Sequence, residues 1–161
     1  MIELLVAVLV VGIGVLGVTG LQMVSLQNNR SALLRGEAVQ LAYDMMDRVR
    51  ANPDGDYGGL AIGDVPPAVG NDCIAADCSV ADMTAFDQAS WKCALGNFSG
   101  EAVCAALRGA GALPPADTQP GLPSGDGAVD VDAGSRRVTI TVRWQEPNAP
   151  NPTNIVIESQ G

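Results

Sequence analysis

The 161-residue chain contains no histidine. That absence removes the commonest general base and the commonest metal ligand, so Ser-His-Asp and Cys-His catalysis and most zinc chemistry are closed. Basic side chains are scarce too: 9 Lys and Arg stand against 18 Asp and Glu, a formal net charge of −9. Such a chain repels phosphate backbones, which argues against a nucleic-acid partner. Aromatic residues make up only 4%, while Gly (19) and Pro (10) are plentiful, so a modest core with long irregular loops is expected. Phosphate-loop, nucleophile-elbow and zinc-protease motifs are missing, and nothing marks two of the many acids as a catalytic pair. Neither an enzyme nor a bound cofactor is expected.

What the chain does have is a long apolar opening. Every residue from Leu4 to Gly17 is apolar or glycine, and between Ile2 and Leu26 only Glu3, Thr19, Gln22 and Ser25 are polar. As a helix, Leu4 to Leu21 would cover roughly 27 Å, about the thickness of a bilayer core. A secretory signal peptide fits less well, because no Lys or Arg precedes the run. Gly12, Gly14, Gly17 and Gly20 weaken such a helix in water yet let backbones approach when helices pack.

The helical pattern continues beyond the apolar part. Leu34, Ala38, Leu41, Ala42, Met45 and Val49 recur at three- and four-residue spacings among charged neighbours, and Asn52-Pro53 ends the pattern. One helix of about 50 residues, about 75 Å long, is predicted. Residues 1–27 read as its transmembrane half, and residues 28–161 as a globular domain with the amphipathic half packed on it.

Cys73, Cys78, Cys93 and Cys104 lie together in mid-chain. An even, clustered set behind a membrane segment reads as two disulfides formed outside the cytoplasm. Zinc would call for tighter Cys-x-x-Cys pairs, so no metal site is expected. Four cysteines allow three connectivities; short loops favour Cys73 with Cys78 and Cys93 with Cys104.

Elsewhere, Asp82–Leu95 and Glu101–Arg108 show helical spacing, while residues 54–72 and 109–127 read as loops. Val138, Ile140, Val142 and Trp144 alternate with polar residues as a strand does, and residues 128–132 and 154–159 are natural neighbours, the first through a turn at Ala133-Gly134-Ser135. The expected fold class is α+β, a long N-terminal helix on a small antiparallel sheet. Asp54, Asp56, Asp126, Asp130 and Asp132 do not have the spacing of a calcium loop and read as solvated turns. Trp144 shares the strand's apolar face and reads as core; Trp91 could mark core or a partner surface.

Met1-Ile2-Glu3-Leu4-Leu5-Val6-Ala7 resembles the stretch just inside the cleavage site of type IV prepilins, and the long helix, sheet and cysteines are similar to pilin architecture. The segments "GIGVLGVTGLQ" (12–22) and "NNRSALLRGEAVQLAYDMMDRVRANP" (28–53), with "VTITVRW" (138–144), are similar to PilV-type minor pilins. Family members carry a basic leader, a cleavage-site glycine and an N-methylated aromatic first residue upstream of this stretch; either this sequence starts at an internal methionine of a longer precursor or this copy is not processed, and the first is the expectation. For Glu3 the resemblance implies a purpose. A carboxylate in hydrocarbon costs about 2.5–3.5 kcal/mol, and in pilins the matching glutamate is proposed to meet the N-terminal amine of a neighbouring subunit, fixing axial register.

The resemblance also implies a function: a minor pilin that helps prime assembly of a type IV pilus and sits at or near the fibre tip. Implied partners are other minor pilins, the major pilin, inner-membrane lipid and a PilY-type tip adhesin. The implied location is the bacterial inner membrane with the globular part periplasmic, then the surface fibre, with adhesion and twitching motility as the processes served. Two alternatives stand beside it, a minor pseudopilin of a type II secretion system and a single-pass anchored periplasmic binding module.

Overall fold

The computed structural model describes residues 2–132, 134–147 and 149–160. Its elements are α1 (Ile2–Ala51), α2 (Val80–Leu95), α3 (Ala102–Gly109), β1 (Asp126–Asp132), β2 (Arg137–Trp144) and β3 (Thr153–Gln160). The chain forms two compact units, one ending at Arg35 and the other beginning at Gly36. This is the α+β arrangement read from the sequence: a long N-terminal helix with a small antiparallel sheet.

In the second unit, α1 turns Ala38, Leu41, Ala42, Met45 and Met46 into the core. These are the three- and four-residue steps of one helical face. The helix stops at Ala51, one residue before the Asn52-Pro53 pair that removes the next helical position. Asn52 then ties the helix end to α2, its side-chain amide donating to Val80 O (3.1 Å) and Thr84 Oγ1 (3.2 Å). Helix α2 starts at a Ser79 cap whose hydroxyl accepts from the Asp82 N–H (3.1 Å).

The sheet is a three-stranded meander in the order β1-β2-β3, antiparallel throughout. Val129 pairs with Ile140, and Ile140 with Ile157. Period-two alternation buries Val138, Ile140, Val142 and Trp144 and leaves the other face of β2 to Arg137, Thr139, Thr141 and Arg143. At the β1–β2 turn the Asp132 carboxylate accepts from Gly134 N (2.9 Å) and Ser135 N (2.7 Å), and Arg136 takes a left-handed conformation (φ 53°). Ala133 of that expected turn, like Met1, lies outside the described residues.

Trp91 and Trp144 are both fully buried. Trp91, weighed as a partner-surface residue, is a core residue whose indole N–H donates to Leu41 O at 2.8 Å. Gly127 makes room for it, since a Cβ there would fall 2.4 Å from Trp91 Cη2. Disulfides join Cys73 to Cys78 and Cys93 to Cys104. The second is buried between α2 and α3 with Ala89 and Leu107, under a shell that includes Phe86, Phe98 and Val103.

Candidate functional site

The first unit is where the molecule departs from a soluble domain. Every large apolar residue from Ile2 to Leu26 is more than half exposed, from 55% at Val18 and Val24 to 76% at Ile2. A soluble chain of this size does not leave so long an apolar surface to water. The helix is long and apolar enough to cross a membrane, with a mean hydropathy of 2.7 over its most apolar 18 residues.

Local chemistry suits this segment to an apolar setting. The Thr19 hydroxyl is satisfied within the helix, bonding Val15 O (2.8 Å) and Leu16 O (3.0 Å), so it asks for no outside partner. Space is open around Gly12, Gly14, Gly17 and Gly20, each of which could take a Cβ without contact, so the glycines serve no packing within the chain. They leave shallow notches, such as that flanked by Val11, Val15 and Val18 at Gly14. Glu3 lies in the first turn of α1, where the unpaired N–H groups of a helix start favour a negative charge.

Two polar clusters stand out in the second unit, one fully buried and one half-buried. Lys92, fully buried, donates to Asp126 Oδ1 (2.6 Å) and Ala61 O (2.8 Å), with the Phe98 ring 5.3 Å from its ammonium. Asp126 also accepts from Gly63 N (2.6 Å) and Gly127 N (2.7 Å). The reading of Asp126 as a solvated turn residue is thus corrected. It is buried because it neutralises Lys92, and the pair ties α2, β1 and the 61–63 loop together. Asp132 is a turn residue whose pKa is lowered, chiefly by the Ser135 backbone N–H and then by its side chain and Gly134.

The other cluster joins α1 to α2. Arg48 bridges Asp44 (3.0 Å), Asp87 (2.9 Å) and Ser90 (3.1 Å), and Tyr57 Oη donates to Asp87 Oδ2 at 2.5 Å. Burial opposes the Arg48 charge, but Asp44 and Asp87 outweigh it and raise its pKa. Burial and the Asp87 bond push the Tyr57 hydroxyl up to about 12. Both clusters act as fastenings, the first between α2, β1 and the 61–63 loop and the second between α1 and α2. Sequence reading passed over Lys92 and Arg48; the signal was a cation inside the apolar run Trp91-Lys92-Cys93-Ala94-Leu95.

An α+β domain fastened by disulfides, continuous with an exposed apolar helix long enough to cross a membrane, defines the class of protein by its architecture. A family model described as "Tt1218-like: Type IV pilin Tt1218" matches residues 20–89, which run from within the apolar part of α1 to α2. The match covers less than half of the chain and supports a similarity to type IV pilins. Comparisons with curated proteins and with solved structures give no match.

Proposed function

We propose that this protein is a minor pilin of the PilV type, which helps prime assembly of a type IV pilus and sits at or near the fibre tip. The observation that carries this reading is the apolar helix surface, exposed along its whole length and interrupted at its start by a single carboxylate. Residues 1–27 wait in the inner membrane with residues 28–161 in the periplasm; during assembly the helix transfers into the fibre, where neighbouring helices cover its apolar residues. Its partners there are other minor pilins and the major pilin, with a PilY-type adhesin at the tip.

Glu3 supplies register. Apolar packing accepts many axial offsets between parallel helices, whereas a carboxylate in hydrocarbon is stabilised only at the offset that brings a cation to it. Cys73–Cys78 and Cys93–Cys104 hold the displayed domain in the oxidising periplasm.

Mass spectrometry of fibres sheared from the native cell tests the reading. Peptides of this chain, present at a few per cent of the major pilin or less, are expected. Retention of the whole pool in the membrane fraction of abundantly piliated cells overturns it. Glu3→Ala is expected to leave membrane insertion intact and to reduce piliation at least tenfold; normal piliation removes the register role.

A further inference from the structure

β1 and β3 form the two edges of the sheet, and the fold treats them differently. The outer side of β1 is covered where Leu60 bridges to Val129, the Val129 N–H donating to Leu60 O at 2.8 Å. β3 has β2 as its one strand partner among the described residues. Alternate N–H and C=O groups of an edge strand point away from its neighbour, so the eight residues Thr153–Gln160 present a ready template for another strand. The protections are few: β3 has no Pro or Lys, Glu158 is its one charged side chain, and its register with β2 runs one to one from Thr153 to Gln160 without a bulge.

The side chains point the same way. Ile155 and Ile157 are only half-buried, whereas their partners Val142 and Ile140 are fully buried, so the cover of the core thins toward β3. Arg50 Nη2 donates to Ser159 Oγ at 3.0 Å, which sets that side of α1 beside β3. Tyr43 and Val39 precede Arg50 by 7 and 11 residues, within about 20° of it around the helix, and are 52% and 39% exposed. A fourth strand with apolar residues at alternate positions would cover Ile155, Ile157 and this side of α1. On the sheet's other face, Asp130, Thr139 and Glu158 form one cross-strand row with an acid at each end, and Arg137 reaches Glu158 only at 4.0 Å. A cation beyond Glu158 completes that row.

We propose that β3 is a docking edge for one extended segment of another protein, apolar at alternate positions and carrying a Lys or Arg opposite Glu158. A second copy of this chain suits the edge less well, because each copy carries a net charge of −9 and pairing two β3 strands brings both acidic rows onto one face. This assignment goes beyond the pilin reading and does not depend on where α1 resides.

Hydrogen exchange on the full chain in neutral detergent micelles tests it, with a synthetic nine-residue peptide of alternating valine and threonine bearing one lysine as probe. The outward amides of residues 153–160 should slow at least tenfold at millimolar peptide. The same peptide N-methylated at alternate backbone positions should have no effect, and Glu158→Gln should weaken binding of the lysine peptide about threefold. Three outcomes overturn the proposal: no slowing, equal slowing by the methylated peptide, or amides already slow in a peptide-free dimer, which would give the edge to a second copy.

Discussion

Lys92 places a cation in the core of the globular unit. Its ammonium is buried without solvent contact and is held by Asp126 and Ala61 O. Removing one partner of a buried pair leaves an uncompensated charge, whereas removing both with apolar side chains of similar volume can be neutral. Asp126→Leu should therefore destabilise the unit by about 3 kcal/mol, and Lys92→Met combined with Asp126→Leu by clearly less. Urea unfolding followed by the emission of the two buried tryptophans reads this directly, and equal losses in the single and double variants would refute it. Tyr57 gives a pH prediction. Its folded pKa, about 12, lies above the ordinary tyrosine value of 10.0. The folded state thus retains a proton that the unfolded chain gives up, so this contribution is complete below pH 10, and stability falls as pH rises toward about 12. Tyr57→Phe should flatten stability over that window. An unchanged slope would mean that Tyr57 does not cause it.

Among the elements, α2 is the junction, since it carries Asp87, Trp91, Lys92 and Cys93 to four different partners. Cys93–Cys104 closes an 11-residue separation inside the core, and Cys73–Cys78 closes 5 residues at a more exposed position. Chain entropy alone gives about 3 kcal/mol for the first and about 2 kcal/mol for the second. Replacing Cys93 and Cys104 by Ala should therefore lower the urea midpoint more than replacing Cys73 and Cys78, and the reverse order would contradict the placement of the buried bond. Ser79→Ala, which removes the α2 cap, should cost about 1 kcal/mol. Those elements were legible in the sequence wherever one period dominates: 3.6 residues over α1, 2 residues over β2. What escaped was set by distant pairing. Asp126 looks like its neighbours Asp130 and Asp132 until Lys92, 34 residues earlier, is folded against it. Glu3 stands at the start of α1 as one carboxylate before an apolar run, and the register role proposed for it is not tested by a single chain, because the partner it calls for belongs to another subunit.

For the molecule as a whole, the decisive asymmetry is that one compact unit has a core and the other has none. The unit beginning at Gly36 buries Trp91, Trp144, Ile140, Val142 and Met45 within itself. The unit ending at Arg35 is exposed or half-exposed throughout its described residues. Burying a Leu, Ile or Val side chain from water is worth about 1.5–3 kcal/mol, so the many exposed between Ile2 and Leu26 drive the chain into lipid, detergent or a helical bundle. Nothing in residues 2–27 contributes to the second unit's disulfides, buried ion pair or sheet. A chain starting at residue 28 and produced in the periplasm should therefore be monomeric in detergent-free buffer, with both tryptophans buried and the urea midpoint of the full chain in micelles. The full chain should sediment when detergent is removed. Sedimentation velocity on the two chains reads both expectations. A full chain that stays monomeric without detergent would mean that the apolar residues find cover within the molecule, and the membrane and fibre-core roles of the helix would fall together.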